Sequence, residues 1–160
     1  MSSPQMVLYE EEYRLIQAVC EKLVRDTSAN VVFLVDKNGQ LIANAGVIQN
    51  LDTTSLASLT AGNIAATGGL AKLLGQREFT VLFHEGERDN LHITVIAQRV
   101  ILVVIFDAKA TLGLVRLRVK KASEEIAKIF EVLLKKMEAP GAKSPFSEIT
   151  DDDIANLFNE

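Results

Sequence analysis

The groups in this chain whose types could do chemistry are two histidines, one cysteine and a glycine-rich run that ends in a lysine. His84 and His92 fall in neighbouring apolar or alternating runs with no cysteine at ligand spacing, so a zinc site is poorly supported and structural or surface roles are expected. Cys20 lies on an apolar helical stripe, where a cysteine serves as a small core residue rather than as a nucleophile. The run Gly68-Gly69-Leu70-Ala71-Lys72-Leu73 approaches a phosphate-binding loop, but its spacing is wrong and it lacks the hydroxyl that would hold magnesium. The expectation is therefore no cofactor, no metal and no active site of the chain's own.

Bulk properties narrow the partners. At 160 residues the chain suits one hydrophobic core with a tail. Its composition, 48% hydrophobic and 24% charged, places it among globular proteins rather than disordered ones. A formal net charge of −4 works against unaided binding to a phosphate backbone, so nucleic acid is not an expected partner. A single cysteine forbids an internal disulfide and suits a reducing cytoplasm. The start Met1-Ser2-Ser3-Pro4-Gln5 has no basic or apolar leader, and the most apolar run, Val100 to Phe106, is too short to span a bilayer. A cytoplasmic protein with no membrane partner is expected.

The elements follow from periodicity. From Tyr9 to about Thr27, Tyr13, Ile16, Cys20 and Leu23 mark one helical face, with Glu10, Glu11 and Glu12 assigned to the first turn, where they favour the helix dipole. Val31 to Val35 and Gln40 to Ala43 are strands joined by Asp36-Lys37-Asn38-Gly39, whose Asn-Gly pair reads as a hairpin turn. Asp52, Thr53 and Thr54 are good N-caps for a second helix that Gly75 closes. Phe79 to His84, Leu91 to Ala97 and Arg99 to Phe106 form a three-stranded meander. A third helix from about Thr111 carries Leu112, Val115, Val119, Ala122, Ile126, Ile129 and Leu133 at three-four spacing. The fold class is α/β (α+β): a five-stranded, mainly antiparallel sheet with helices for both faces.

Residues 1–138 form this domain. Residues 139–149, with Pro140, Gly141 and Pro145, read as a flexible linker, and 150–160 as a short acidic amphipathic motif. There, Thr150 before Asp151-Asp152-Asp153 resembles a helix start, and Ile154, Leu157 and Phe158 share one face. A helix that short does not persist alone. It either folds back on its own domain or anchors in a groove on a partner, and the linker's reach favours the anchor.

The second helix breaks the usual pattern of a charged outer side. At about 100° per residue, Leu56, Leu59, Asn63, Ala66, Leu70 and Leu74 make the expected core stripe, while Ser58, Ala61, Ala65, Gly68, Gly69 and Lys72 collect on the far side. No charge stands between Asp52 and Lys72. Gly62, Gly68 and Gly69 each cost about 1 kcal/mol relative to alanine in a helix, and close approach of another backbone is a physical reason to tolerate that. The face is either buried by the same chain or its copy, or is a flat docking surface for a different protein.

The element order, Val32-Phe33-Leu34-Val35-Asp36-Lys37-Asn38-Gly39, the uncharged Leu59-Thr60-Ala61-Gly62-Asn63-Ile64-Ala65-Ala66, and Leu112-Gly113-Leu114-Val115-Arg116 together resemble the roadblock family of dynein light-chain-like proteins. The likeness covers about residues 7 to 137 and, more loosely, the tail. It implies a homodimer in which the third strands pair across a two-fold axis with the second helices side by side. It further implies that those helices receive a small Ras-like GTPase of the MglA type, governing cell polarity and gliding motility, and accelerate its GTP hydrolysis by reshaping its own catalytic residues. A scaffold that binds without activating is the alternative. The contacts carried over are Ala61, Ala65, Gly68 and Gly69, with Lys72 at the rim. No arginine finger is required, although Arg77, Arg88, Arg99, Arg116 and Arg118 are present and an arginine in trans can stabilise phosphate charge.

On the third helix Lys121, Glu124, Lys128, Glu131 and Lys135 form a charged face with i, i+4 pairs. A solvated face is the default, and the alternative is a docking site, marked by Lys121, Glu124 and Lys128, for a second polarity protein. A cytoplasmic pool concentrated at a cell pole would suit that setting.

Overall fold

Eight elements follow one another in the computed structural model, which describes residues 4–138: α1 (Pro4–Thr27), β1 (Val31–Asp36), β2 (Leu41–Gly46), α2 (Thr53–Leu73), β3 (Val81–His84), β4 (Asn90–Ile96), β5 (Val100–Phe106) and α3 (Leu112–Glu138). The five strands form one sheet in the order β2-β1-β5-β4-β3, and every pairing is antiparallel. The order and types of the elements are those expected from the sequence. The linker and the motif with Ile154, Leu157 and Phe158 lie outside the described residues.

The β-branched runs take the centre of the sheet, where both faces are covered. Alternation along β1 sends Val32 and Leu34 to one face and Val31, Phe33 and Val35 to the other. The first face joins Leu102, Val104 and Phe106 to Ile16, Cys20 and Leu23 of α1 and to Val115, Val119, Ala122 and Ile126 of α3. The second joins Ile93, Val95, Ile101 and Val103 to Ala57 and Ile64 of α2. Each such fully buried aliphatic side chain contributes about 1.5–3 kcal/mol. Phe83 of β3 stacks on Phe106 at 6.2 Å between ring centroids and closes the first core near the sheet edge.

Helix α1 differs from expectation at its start. It begins at Pro4, so Glu10, Glu11 and Glu12 stand within the helix rather than in its first turn. Glu10 pairs with Arg14 at 2.9 Å along the exposed side. Glu12, one turn before Ile16 and on the same line, is only 3% exposed and accepts a hydrogen bond from Nζ of Lys136 on α3. Tyr13, expected in the core, is half exposed because Glu12 takes the place facing α3.

Of the three hairpin turns, the first and the last are the most constrained. In the first, Asp36 Oδ1 accepts from the N–H groups of Asn38 and Gln40 at 2.9 and 3.0 Å, and Gly39 alone takes a positive φ, +92°. The register shifts between Leu34 and Val35, so this is the wider bulged form of hairpin. Gly39 also lies against α2: a Cβ there would stand 3.3 Å from Cα of Ser58. In the last turn Ala97 and Gln98 both have positive φ, 53° and 58°, and Arg99 N–H donates to Ile96 C=O at 3.0 Å, joining β4 to β5 without a glycine. Among the described residues no helix is long and apolar enough to cross a membrane.

Candidate docking surface of helix α2

The ends of α2 are fixed by local hydrogen bonds. Asp52 accepts from Ser55 N–H at 3.0 Å and from Ser55 Oγ at 2.6 Å, and the Ser55 bonds hold its carboxyl below the ordinary range. At the other end Gly75 (φ +74°) donates to Lys72 C=O at 3.1 Å and Gln76 N–H to Ala71 C=O at 2.8 Å, the paired bonds of a glycine-terminated helix.

Between those caps the helix lies on the sheet through small side chains. Ala57, Thr60, Ala61, Ile64 and Ala71 are buried. The leucines expected to face the core face outward: Leu59 is 72% exposed, Leu70 56% and Leu74 68%. Ala66 is exposed, while Leu56 and Asn63 are half-buried. The reason is volume. Val31, Phe33, Val35, Ile93, Val95, Ile101 and Val103 already fill the space above this face of the sheet. A helix settling there at packing density presents mostly alanine and threonine, with Ile64 the large side chain that it buries. The helical period was legible; the face that turns inward was decided by the sheet.

Ala61, expected on the far side of the helix from the core, is instead buried at 9% exposure. It forms part of the floor of a cleft along one flank of α2. The same cleft is lined by Ala65, Gly68, Gly69 and Lys72, so all five sequence-assigned contact residues come together, with Lys37, Arg77 and Glu78 at the margin. Lys37 Nζ pairs with Glu78 Oε1 at 2.8 Å and ties the β1–β2 hairpin to the segment after α2. Of the five arginines considered for a role in trans, Arg77 lines this cleft, whereas Arg116 and Arg118 belong to α3 on the opposite face of the sheet. A Cβ added at Gly62, Gly68 or Gly69 would meet nothing within 4 Å. Within the described chain no close packing demands glycine at these positions.

Beyond the cleft, the outward side of α2 carries Leu59, Leu70 and Leu73, the last 84% exposed, and β3 ends the sheet with Val81 51% exposed. Sequence reasoning missed this leucine stripe as a surface. Its signal was the surplus of leucine on a helix whose neighbouring strands are already rich in large aliphatics.

The groups singled out for chemistry stand apart. Asn63 Nδ2 approaches His84 Nε2 at 3.4 Å on the α2 side, while His92 is buried beside Thr94, Oγ1 to Nδ1 3.3 Å, in a groove that α3 lines. The sheet separates the two histidines. Burial, and then Arg116, push the His92 imidazole below its ordinary value. Burial, with help from Glu21, pushes the Cys20 thiol up to about 12, so it stays protonated and unreactive. On α3 the charged face is divided: Lys121 and Lys128 border grooves shared with α1, Glu124 borders the groove toward β4, and Glu131 pairs with Lys135 at 3.4 Å.

Residues 15–106 match the Roadblock/LC7 domain. Among solved structures the chain is similar to MglB of Myxococcus xanthus, with 66% identity over 78% of this chain and 94% of that one and a TM-score of 0.76. It is also similar to the gliding protein MglB of Thermus thermophilus, with 38% identity over 82% and 99% of the two chains and a TM-score of 0.73. An MglB of tetrameric arrangement shares 36% identity over 82% and 98%, with a TM-score of 0.74. No curated protein matches. The fold, the matched domain and these identities together establish that the chain belongs to the Roadblock/LC7 family.

Proposed function

We propose that this protein is a GTPase-activating partner of a small Ras-like GTPase of the MglA type in cell polarity and gliding motility, received on helix α2. The observation that carries the reading is the α2 flank: Ala65, Gly68 and Gly69 leave backbone open at a site where this chain gains nothing from glycine. The high identity to Myxococcus MglB and the likeness to a Thermus gliding protein support the same assignment. The contribution to hydrolysis is to order the GTPase's own switch and catalytic groups, with Arg77 at the cleft margin as the residue to test for a role in trans. The protein acts without an active site of its own.

The working form is a homodimer. The exposed Leu59, Leu70 and Leu73 and the edge strand β3 support an interface in which β3 pairs with its copy and the two α2 helices lie together, since exposed leucines and an open strand edge both call for cover. The motif at 150–160 is an anchor for the same GTPase, tethered by residues 139–149. The protein acts in the cytoplasm, concentrated at a pole, and Lys121, Glu124 and Lys128 mark a face for a second polarity protein.

Single-turnover GTP hydrolysis by the cognate GTPase, with and without this protein and with the chain ended after Met137, tests the proposal. A faster rate supports activation, and a change on truncation assigns the motif its role. Binding without acceleration would replace activation by the scaffold reading.

A further inference from the structure

Helices α1 and α3 leave a groove between them on the side of the sheet away from α2. Its apolar floor is Leu15, Ala18, Val19 and Ile129, with Leu15 49% exposed. Lys22 and Lys128 border it against Glu125, and a second hollow sharing Val19, Lys22 and Glu125 continues it along the two helices with Lys121 and Arg118 against Asp26. Arg118 Nε is buried there with no hydrogen-bond partner among the described residues.

The rest of the chain has the complementary character. Residues 139–160 hold Glu148, Asp151, Asp152, Asp153 and Glu160 against Lys143 alone, which accounts for the whole formal net charge of −4. Ile154, Leu157 and Phe158 recur at the spacing of one helical face, with the aspartates just before them. From these two observations we infer that the α1/α3 groove is the resting site of the protein's own C-terminal motif, 150–160. Ile154, Leu157 and Phe158 cover the apolar floor, and the aspartates meet Lys22, Lys121 and Lys128.

The geometry permits this without strain. Ile129 precedes the end of α3 by nine residues, about 14 Å at helical rise. The eleven residues 139–149 span about 36 Å when extended and roughly 18 Å as a random coil. A tether of that length holds the motif at an effective concentration on the order of millimolar. That offsets the weakness of a two-turn helix, which orders only on docking. The apolar side that fills the groove is the side that would anchor on a GTPase, so docking at rest withholds it until a partner competes. The inference concerns the free protein and stands or falls apart from GTPase activation.

The test uses the full chain with a nitroxide at Asn156→Cys, a position opposite the apolar side; Cys20 is buried and escapes labelling. Paramagnetic broadening is expected at Leu15, Ala18 and Ile129. It should be lost in Phe158→Ser and in Lys22→Glu with Lys128→Glu, two exposed sites whose reversal leaves the melting curve in place. Absence of broadening at the groove, its appearance along α2 instead, or its persistence in those variants would overturn the inference. So would broadening of an isotope-labelled chain by a separate nitroxide-bearing chain, which would make the occupant a second copy's motif.

Discussion

At the residue scale, two neighbouring alanines of α2 have opposite fates, and the difference can be measured. Ala65 is exposed and borders the cleft, whereas Ala61 is 9% exposed against the sheet. Ala65→Arg should weaken GTPase binding by about 2 kcal/mol or more, roughly 30-fold, with an unchanged melting temperature. Ala61→Arg should destabilise the fold itself, because a guanidinium would have to enter the α2 core. Calorimetric titration and thermal melting separate the two effects. His92 supplies a pH prediction. Its folded-state value lies below 6.5, so the unfolded chain binds the proton more readily. Its contribution to stability is complete above pH 6.5 and is lost as pH falls from 6.5 through the lowered value. Urea midpoints should therefore decline with acidification in that window, and His92→Gln should flatten the dependence.

At the scale of the element, α2 is a helix weakened inside its own chain. Gly69 is exposed and a methyl group there would meet nothing within 4 Å. Gly69→Ala should raise stability by about 0.5–1 kcal/mol in urea unfolding. If α2 receives the GTPase by close backbone approach, the same change should weaken binding. Stability and binding moving in opposite directions is the signature of a helix whose composition answers to a partner. The caps of this helix were legible in sequence: Asp52 and Gly75 stand where local rules put them, because capping involves only near neighbours. The start of α1 was not legible, since the acidic run Glu10-Glu11-Glu12 resembles a first turn when read alone.

At the scale of the whole molecule, the two faces of the sheet are unequally covered. One is closed by α1 and α3 over Leu34, Leu102, Val104 and Phe106; the other carries a single helix whose Leu59, Leu70 and Leu73 point outward. Substituting Leu70→Glu and Leu73→Glu together should give a folded protein that sediments as a monomer. Neither side chain contributes to the core, while either charge at a shared leucine face would have to be desolvated. Analytical ultracentrifugation decides; an unchanged dimer would place the self-association surface elsewhere.

What the sequence determined by itself was the order of elements, the third helix and the caps of α2. Each rests on a period or a local bond that neighbouring residues define among themselves. The tertiary structure decided which side of α2 turns inward, where Tyr13 and Glu12 go, and that the sheet separates His84 from His92. These are outcomes of volume and register between segments far apart in the chain. The strands filled one side of the sheet with valine, isoleucine and phenylalanine, α2 met them mostly with small side chains, and Leu59, Leu70 and Leu73 stayed exposed.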